Sequence, residues 1–419
     1  MATIHPFIPI RPQLNHEAEV SCPPYDVIST DEARVHAERS PHNFVRVIRS
    51  EVEFPPGTDP HGSEIYEKSR HVLETMIAEG TLECSAEPTM FIYRLVYEDQ
   101  RQVGLVCTVD AAEYRDGRIL KHEKTRPDKE DDRTQHILAI GAHAEPVLLS
   151  WRDDVENDMI VNRLQSGMTD RPFAHFVADN VTHTLWKVEE ASIFAELFEE
   201  VPALYIADGH HRSAAGERAA RACEETNPNH DGQEEYNRIL AVLFPESQLT
   251  ILAYNRVVRD LNGLSVEAFL DRLSEVGSLS PLDNRPRKPV QRGSINIYVN
   301  ENWYELRFDP ISIDEDPIAS LDVALLQDRV LAPLLGVGDP RLDDRIGFVG
   351  GIRGTEELQK RVQSGEWAVA FSMHPTSMAE LLRVAEAGMI MPPKSTWFEP
   401  KLRSGLFLHR FDVPESSSS

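Results

Sequence analysis

The run Val201-Pro-Ala-Leu-Tyr-Ile-Ala-Asp-Gly-His-His-Arg-Ser213 constrains this chain more than any other stretch. Ala203 to Ala207 is an apolar segment of strand length. It stops at Asp208-Gly209, a turn dipeptide whose glycine reaches backbone angles closed to other residues. Beyond it, Ala215, Ala219, Ala222 and Cys223 recur at helical spacing. The pattern predicts strand, tight turn and helix, with His210, His211, Arg212 and Ser213 at the helix mouth. A helix N-terminus presents unpaired N–H groups and the positive end of the helix dipole, and both favour an anion. The four side chains add donors suited to phosphate oxygens, and a charge-assisted bond contributes roughly 1.5–3 kcal/mol. The segment therefore reads as a phosphate cradle. A satisfied core histidine beside a surface one is the plainer account of a His-His pair. A zinc site has no Cys or third His at ligand spacing nearby.

Charge decides which partners suit the chain. Across 419 residues, 43 Lys and Arg face 69 Asp and Glu, a formal net charge of -26. Such a field repels nucleic acid and anionic membranes. A small anionic ligand still binds, because a pocket's own donors lie within the screening length of about 8 Å. No apolar run approaches the ~20 residues of a membrane span, and the N-terminus lacks a basic region followed by an apolar one. Cys22, Cys84, Cys107 and Cys223 are scattered, as expected of small buried hydrophobes in a reducing compartment. These features predict a cytoplasmic protein with no membrane or nucleic-acid partner; a homo-oligomer is compatible with all of them.

Helical and strand patterns alternate, so the fold class is mixed α+β. A helix is expected after Gly62, with Ile65, Val72, Leu73, Met76 and Ile77 on one face, and strands over 90–96 and 103–109. Residues 113–120 predict a hairpin turning at Asp116-Gly117, and residues 128–143 a charged helix. Further strands are expected over 146–151, 184–188, 239–244, 249–254, 295–299, 303–308 and 367–371. Helices are expected after Ser265 and over 321–335, and Asp283 to Pro289 has linker composition. The organisation predicted is a phosphate-binding region over 1–260, an α/β domain over 261–413 and a disordered tail over 414–419.

Three other segments concentrate reactive side chains. Lys121-His122-Glu123-Lys124-Thr125, with Arg126, Asp128 and Arg133 behind it, offers Glu123 as a general base or a Mg²⁺ ligand; a solvated strand end has the same composition. Ser21-Cys-Pro-Pro-Tyr-Asp-Val27 is a rigid turn presenting Tyr25 and Asp26. Met391-Pro-Pro-Lys-Ser-Thr-Trp-Phe-Glu-Pro-Lys401 gathers Lys394, Ser395 and Lys401 around aromatics that also suit a docking role. No Walker P-loop, Gly-x-Gly-x-x-Gly, Gly-x-Ser-x-Gly or His-Glu-x-x-His motif is present.

The motifs Pro23-Pro-Tyr-Asp-Val-Ile28, His122-Glu-Lys-Thr125, Asp208-Gly-His-His-Arg212 and Met391-Pro-Pro-Lys-Ser-Thr396 with Pro400-Lys401, in this order, resemble the prokaryotic family known as domain of unknown function 1015. More distantly, Asp208-Gly-His-His-Arg212 is similar to the phosphate-binding turn of the ParB and sulfiredoxin superfamily, which includes nucleotide switches and free-serine kinases. This chain departs from that pattern at Ser213, where relatives carry an aromatic residue, and at Ala253-Tyr-Asn-Arg256, where a Thr-His-Arg-like run is expected. The resemblance implies a ParB/sulfiredoxin-like core and an additional C-terminal α/β domain. It implies ATP or ADP held by Gly209, His210, His211, Arg212 and Ser213. For a kinase of free L-serine, Glu123, Asp26 and Asp208 are the catalytic candidates, with Asp208 and Glu123 holding Mg²⁺. His122, Thr125, Arg133, Lys394, Ser395 and Lys401 are the candidates for holding a small hydroxyl amino acid. A ParB-type switch without turnover and a scaffold that binds phosphate incidentally are the competing readings.

Overall fold

The computed structural model describes residues 1–154, 158–283, 285–309 and 316–414. The expected tail, apart from Pro414, and Asn284 of the linker-like segment lie outside the described residues. The chain forms two units, Met1–Leu249 with Pro400–Ser419, and Thr250–Glu399. The sequence placed the boundary near 260 and left 400–413 with the second domain. The difference arises because Leu408–Arg410 pairs with Pro9–Pro12 and Ala142–His143, which draws the last segment into the first unit.

Among the described residues the first unit carries a nine-stranded mixed sheet. Its order is Ile119–Leu120, Leu204–Asp208, Val147–Trp151, Arg238–Pro245, Gln100–Asp110, Phe91–Tyr97, Val181–Lys187 and Ala174–Ala178, with Ile4–His5 also paired to Gln100–Asp110. The central strands are buried on both faces, so they read as continuous apolar runs rather than alternating ones. Leu105, Cys107, Leu149, Trp151, Phe194, Phe198, Ile206 and Leu243 form one core cluster with them. A second cluster joins Val47, Leu73, Met76 and Ile140 from the helices Val45–Ile48, Ser63–Ala78 and Pro127–Ile140, with Phe44 from just before the first of them.

The second unit has a six-stranded sheet in the order Ser278–Pro281, Asn302–Arg307, Ser294–Val299, Val369–Ser372, Tyr254–Val258 and Ile346–Gly350. Trp303, Tyr298, Val257 and Leu358 lie in its core. Ser265 caps the helix Val266–Val276 through the Ala268 N–H, as its position predicts.

Two expectations are corrected. The 113–120 segment is no hairpin: Ala111–Arg115 is a helix, Gly117 follows it at φ +73, and Ile119–Leu120 is a parallel strand. The 321–335 segment is no continuous α-helix, because Asp322–Leu326 passes into a wider π turn at Gln327–Leu331. No helix among the described residues is long and apolar enough to cross a membrane.

Candidate functional site

Leu204–Asp208 runs parallel to Ile119–Leu120, with Leu204 opposite Ile119 and Tyr205 opposite Leu120. Parallel neighbours end at the same edge of a sheet, which is where α/β folds commonly place their sites. The segments leaving them, Asp208 to Arg212 and Lys121 to Thr125, therefore emerge side by side. A register shift between Ile206 and Asp208 on the Val147–Trp151 side turns the strand end towards this edge. Gly209 then adopts φ +95 and ψ 34, and the helix His210–Thr226 begins with no side chain capping it. A Cβ at Gly209 would stand 3.1 Å from Nε of Arg212, so the glycine supplies both the left-handed angle and the room.

Asp208 is the hub of the turn. Lys401 Nζ donates to its Oδ1 at 2.8 Å, and Arg212 Nη2 donates to its Oδ2 at 2.6 Å. Burial alone would raise the carboxyl pKa, but Lys401 and Arg212 together hold it well below the ordinary carboxylate range. Arg212 is itself buried; its Nη1 donates to the Pro146 carbonyl at 2.6 Å and its Nε has no hydrogen-bond partner. Burial would lower its pKa, yet Asp26, Asp208 and Glu145 push it upward.

Three site candidates have surroundings that the sequence does not reveal. Both oxygens of Asp208 accept from cations, Lys401 and Arg212, and a magnesium ion there competes with them. No group of three or more His, Cys, Asp or Glu side chains suited to a metal ion occurs among the described residues. Arg212 is buried, and its guanidinium donates to Asp208 and to the Pro146 carbonyl. Ser213 is also buried, and its hydroxyl donates to the Gly209 carbonyl at 3.1 Å. Helix phase explains both: among His210, His211, Arg212 and Ser213, His211 alone is not buried.

The imidazoles form the next layer. His210 and His122 are both buried and meet edge to face at 4.4 Å. The His122 N–H donates to Nε2 of His210 at 3.4 Å, and Nδ1 of His210 lies 3.9 Å from the Glu123 carboxylate. Accepting at Nε2 leaves the proton of a neutral ring on Nδ1, the side facing Glu123. Neither ring nitrogen of His122 has a well-formed hydrogen-bond partner. Burial pushes the His122 pKa down to about 4; burial and His122 push that of His210 well below its usual value. Both rings are neutral at pH 7 and bring no cation. His211 accepts from the Arg126 N–H through Nε2 at 3.1 Å, and burial lowers its pKa as well.

Asp26 is exposed on the Tyr25 turn, and its charge acts on both His211 and Arg212. Arg49 holds that turn through the carbonyls of Tyr25 and Ile28, each at 2.9 Å, and the Thr30 hydroxyl at 2.8 Å. The Tyr25 N–H donates to Glu145 Oε1 at 3.1 Å. Arg133 lies over the Tyr25 ring at 4.4 Å and donates to Asp132 at 2.9 Å, while its Nη1 stands 3.8 Å from Glu145. Glu123 is exposed, and Thr125 donates its hydroxyl to Glu130.

The first unit therefore brings together Asp26, His122, Glu123, Asp208, Gly209, His210, His211, Arg212 and Lys401, with Arg133 behind the Tyr25 turn. Lys394 and Ser395 belong to the second unit. There Lys394 lies over the Tyr254 ring at 5.2 Å, and Ser395 Oγ donates to the Pro392 carbonyl at 2.6 Å. Arg256 is buried in the same unit and donates to the carbonyls of Tyr254 and Lys394. Sequence reasoning missed Glu145 and Arg49. Glu145 stands in Ala144-Glu-Pro146, and an acidic residue at the threshold of a buried, largely apolar strand was the available signal.

A comparison with curated proteins returns no match. Among solved structures, the chain is similar to a free serine kinase variant in complex with AMP at 11% identity, covering 70% of this chain and 87% of that one, with a TM-score of 0.36. It is similar to a conserved hypothetical protein from Pyrococcus furiosus at 12% identity, covering 71% and 93%, with a TM-score of 0.35. It is also similar to C-terminally truncated SbnI from Staphylococcus aureus at 13% identity, covering 75% and 90%, with a TM-score of 0.36. The family model described as "Protein of unknown function (DUF1015)" matches residues 4–324. With its Asp208-Gly-His-His-Arg212 turn inside that span, the chain belongs to the DUF1015 family.

Proposed function

We propose that this protein is a nucleotide-dependent phosphotransferase that moves a phosphoryl group from ATP or ADP to the hydroxyl of a free amino acid, L-serine. The observation that carries the reading is the left-handed Gly209 opening an uncapped 17-residue helix, with His211 at its mouth and the carboxylates of Asp26 and Glu123 beside it. The similarity of that turn to the ParB and sulfiredoxin superfamily supports a nucleotide phosphate as the anion and serine as the acceptor.

In this reading the N–H groups of the first helical turn and the His211 ring bind the phosphate oxygens. Asp208, Arg212 and Lys401 are the rigid floor beneath them. The serine hydroxyl oxygen attacks the terminal phosphorus, its proton passes to Glu123, and the bond to the bridging oxygen breaks to release the shortened nucleotide. Asp26 orients the acceptor from the Tyr25 turn. Asp208 is engaged by Lys401 and Arg212, and no step in this reading is assigned to magnesium.

The test incubates the full chain with ATP, ADP or CTP and a panel of hydroxyl amino acids, and follows O-phosphoserine. Glu123→Gln is expected to abolish product while nucleotide affinity stays within about twofold. Unchanged turnover in that variant rejects Glu123 as the base. Nucleotide binding without turnover across the panel supports a ParB-type switch instead, and no binding of any nucleotide removes both readings.

A further inference from the structure

We propose a second small-molecule site in this chain, for a zwitterionic α-amino acid, in a cavity at the far half of the helix His210–Thr226. The cavity has a volume of about 220 Å³, and Arg115, Glu217, Arg221, Glu224 and His230 line it. Glu224 stands 14 residues beyond His210, roughly 21 Å along the helix axis at 1.5 Å per residue, so this is a different place from the phosphate turn. The proposal does not rest on the phosphotransferase reading.

The spacing of the charges carries the argument. Glu217 is buried and accepts from Arg221 at 2.7 Å, a well-made pair. Arg115 is held differently: its Nη1 lies 3.9 Å from Glu217 and 3.6 Å from Glu224. His230 Nε2 is 3.8 Å from the other oxygen of Glu224. Those three separations exceed hydrogen-bond reach and border an open volume, so a cation and an anion face one cavity without closing on each other.

Sign balance selects the ligand class. Three arginines, Arg115, Arg221 and Arg238, answer three carboxylates, Asp110, Glu217 and Glu224. A bare anion meets the carboxylates of the lining, and a bare cation meets the arginines. A molecule of zero net charge whose ammonium and carboxylate hang from one carbon meets neither penalty. An α-amino acid lying beside the Arg115–Glu224 pair sets its carboxylate on Arg115 and its ammonium on Glu224, both as charge-assisted hydrogen bonds.

The test is isothermal titration calorimetry of the full chain, without nucleotide, against the common α-amino acids and two kinds of singly charged analogue, the matching carboxylic acids and amines. At least one amino acid is expected to bind with a Kd of about 1 mM or tighter, and the analogues at least about tenfold more weakly. Arg115→Met and Glu224→Gln should each weaken binding about tenfold or more. Both side chains are about two-fifths exposed, and melting curves of the two variants verify that they fold. Glu123→Gln, at the phosphate turn, should leave this binding unchanged. No binding by any amino acid, equal binding by an analogue, or wild-type affinity in both cavity variants overturns the proposal. Binding lost in Glu123→Gln and retained in Arg115→Met does so too, because it maps the amino acid to the phosphate turn.

Discussion

Lys401 Nζ and Asp208 Oδ1 lie 2.8 Å apart although 193 positions separate them in sequence. The pair fastens the returning C-terminal segment to the turn that opens the helix His210–Thr226. Both side chains are at least three-quarters buried, so solvent screens the attraction little. Asp208→Asn leaves two cations, Lys401 and Arg212, without their counter-charge and is expected to destabilise the first unit by about 3 kcal/mol. Lys401→Met keeps the Arg212 pair and should cost less. Urea unfolding of the two variants measures the order, and an Asp208→Asn protein as stable as the wild type contradicts the assignment.

Gly209→Ala tests the turn itself. A left-handed angle costs an alanine about 1–2 kcal/mol, and the new methyl presses on Arg212 Nε from 3.1 Å. Gly232→Ala is the control, since Gly232 has a similar φ of +89 and open space around its Cβ position. Thermal melting should show the larger loss at Gly209. Nucleotide affinity should fall about tenfold at Gly209 and hold at Gly232, an affinity change of about 1.4 kcal/mol.

Acid should unfold this protein partly through His122. Its folded pKa of about 4 lies below the ordinary histidine value of 6.5, so the unfolded chain takes up the proton first as pH falls. The stabilisation is complete above pH 6.5 and is lost progressively down to about pH 4, amounting to about 3 kcal/mol for this ring. Buried His136, also near 4, acts in the same direction. Denaturant titrations from pH 7 to 4 should give a shallower slope for His122→Gln than for the wild type; parallel slopes would show that the ring is not the sensor.

Arg49→Met should loosen the Tyr25 turn without unfolding the unit. Three donor contacts to Tyr25, Ile28 and Thr30 disappear. Faster amide exchange over residues 25–28, with unchanged exchange in the central strands, is the expected signature. Under the proposed function, phosphoserine formation falls by about tenfold or more while nucleotide affinity holds, as expected when a group acting in the transition state loses its position.

Local pattern made the strand, the Asp208-Gly209 turn and the long helix legible, because strand length, turn chemistry and helical spacing each act within a few residues. It misread 113–120, since an Asp-Gly pair serves a hairpin and a helix end equally well. Here Gly117 takes the left-handed position after Ala111–Arg115. The direction of Arg212 and Ser213 was also hidden. The helix is buried on more than one face, with Ser213, Ala214 and Glu217 inside as well as Ala215, Ala219 and Cys223. The alanine spacing alone therefore could not tell which donors remain at the mouth. The neighbours that decide Asp208, Lys401 from one end of the chain and Arg212 from the next turn, share no spacing that periodicity can detect. Sheet order likewise brought His122 beside His210, which neither motif announces.

The return of the chain at Pro400 sets a schedule for synthesis. A ribosome must finish Thr250–Glu399 before Lys401 exists, and at about 5–20 residues per second that delay lasts roughly 8–30 s. Through that interval the nascent first unit holds Asp208 with one cation instead of two. The second counter-charge at the turn is thus acquired late, after the translation of a unit that supplies none of the turn's own residues.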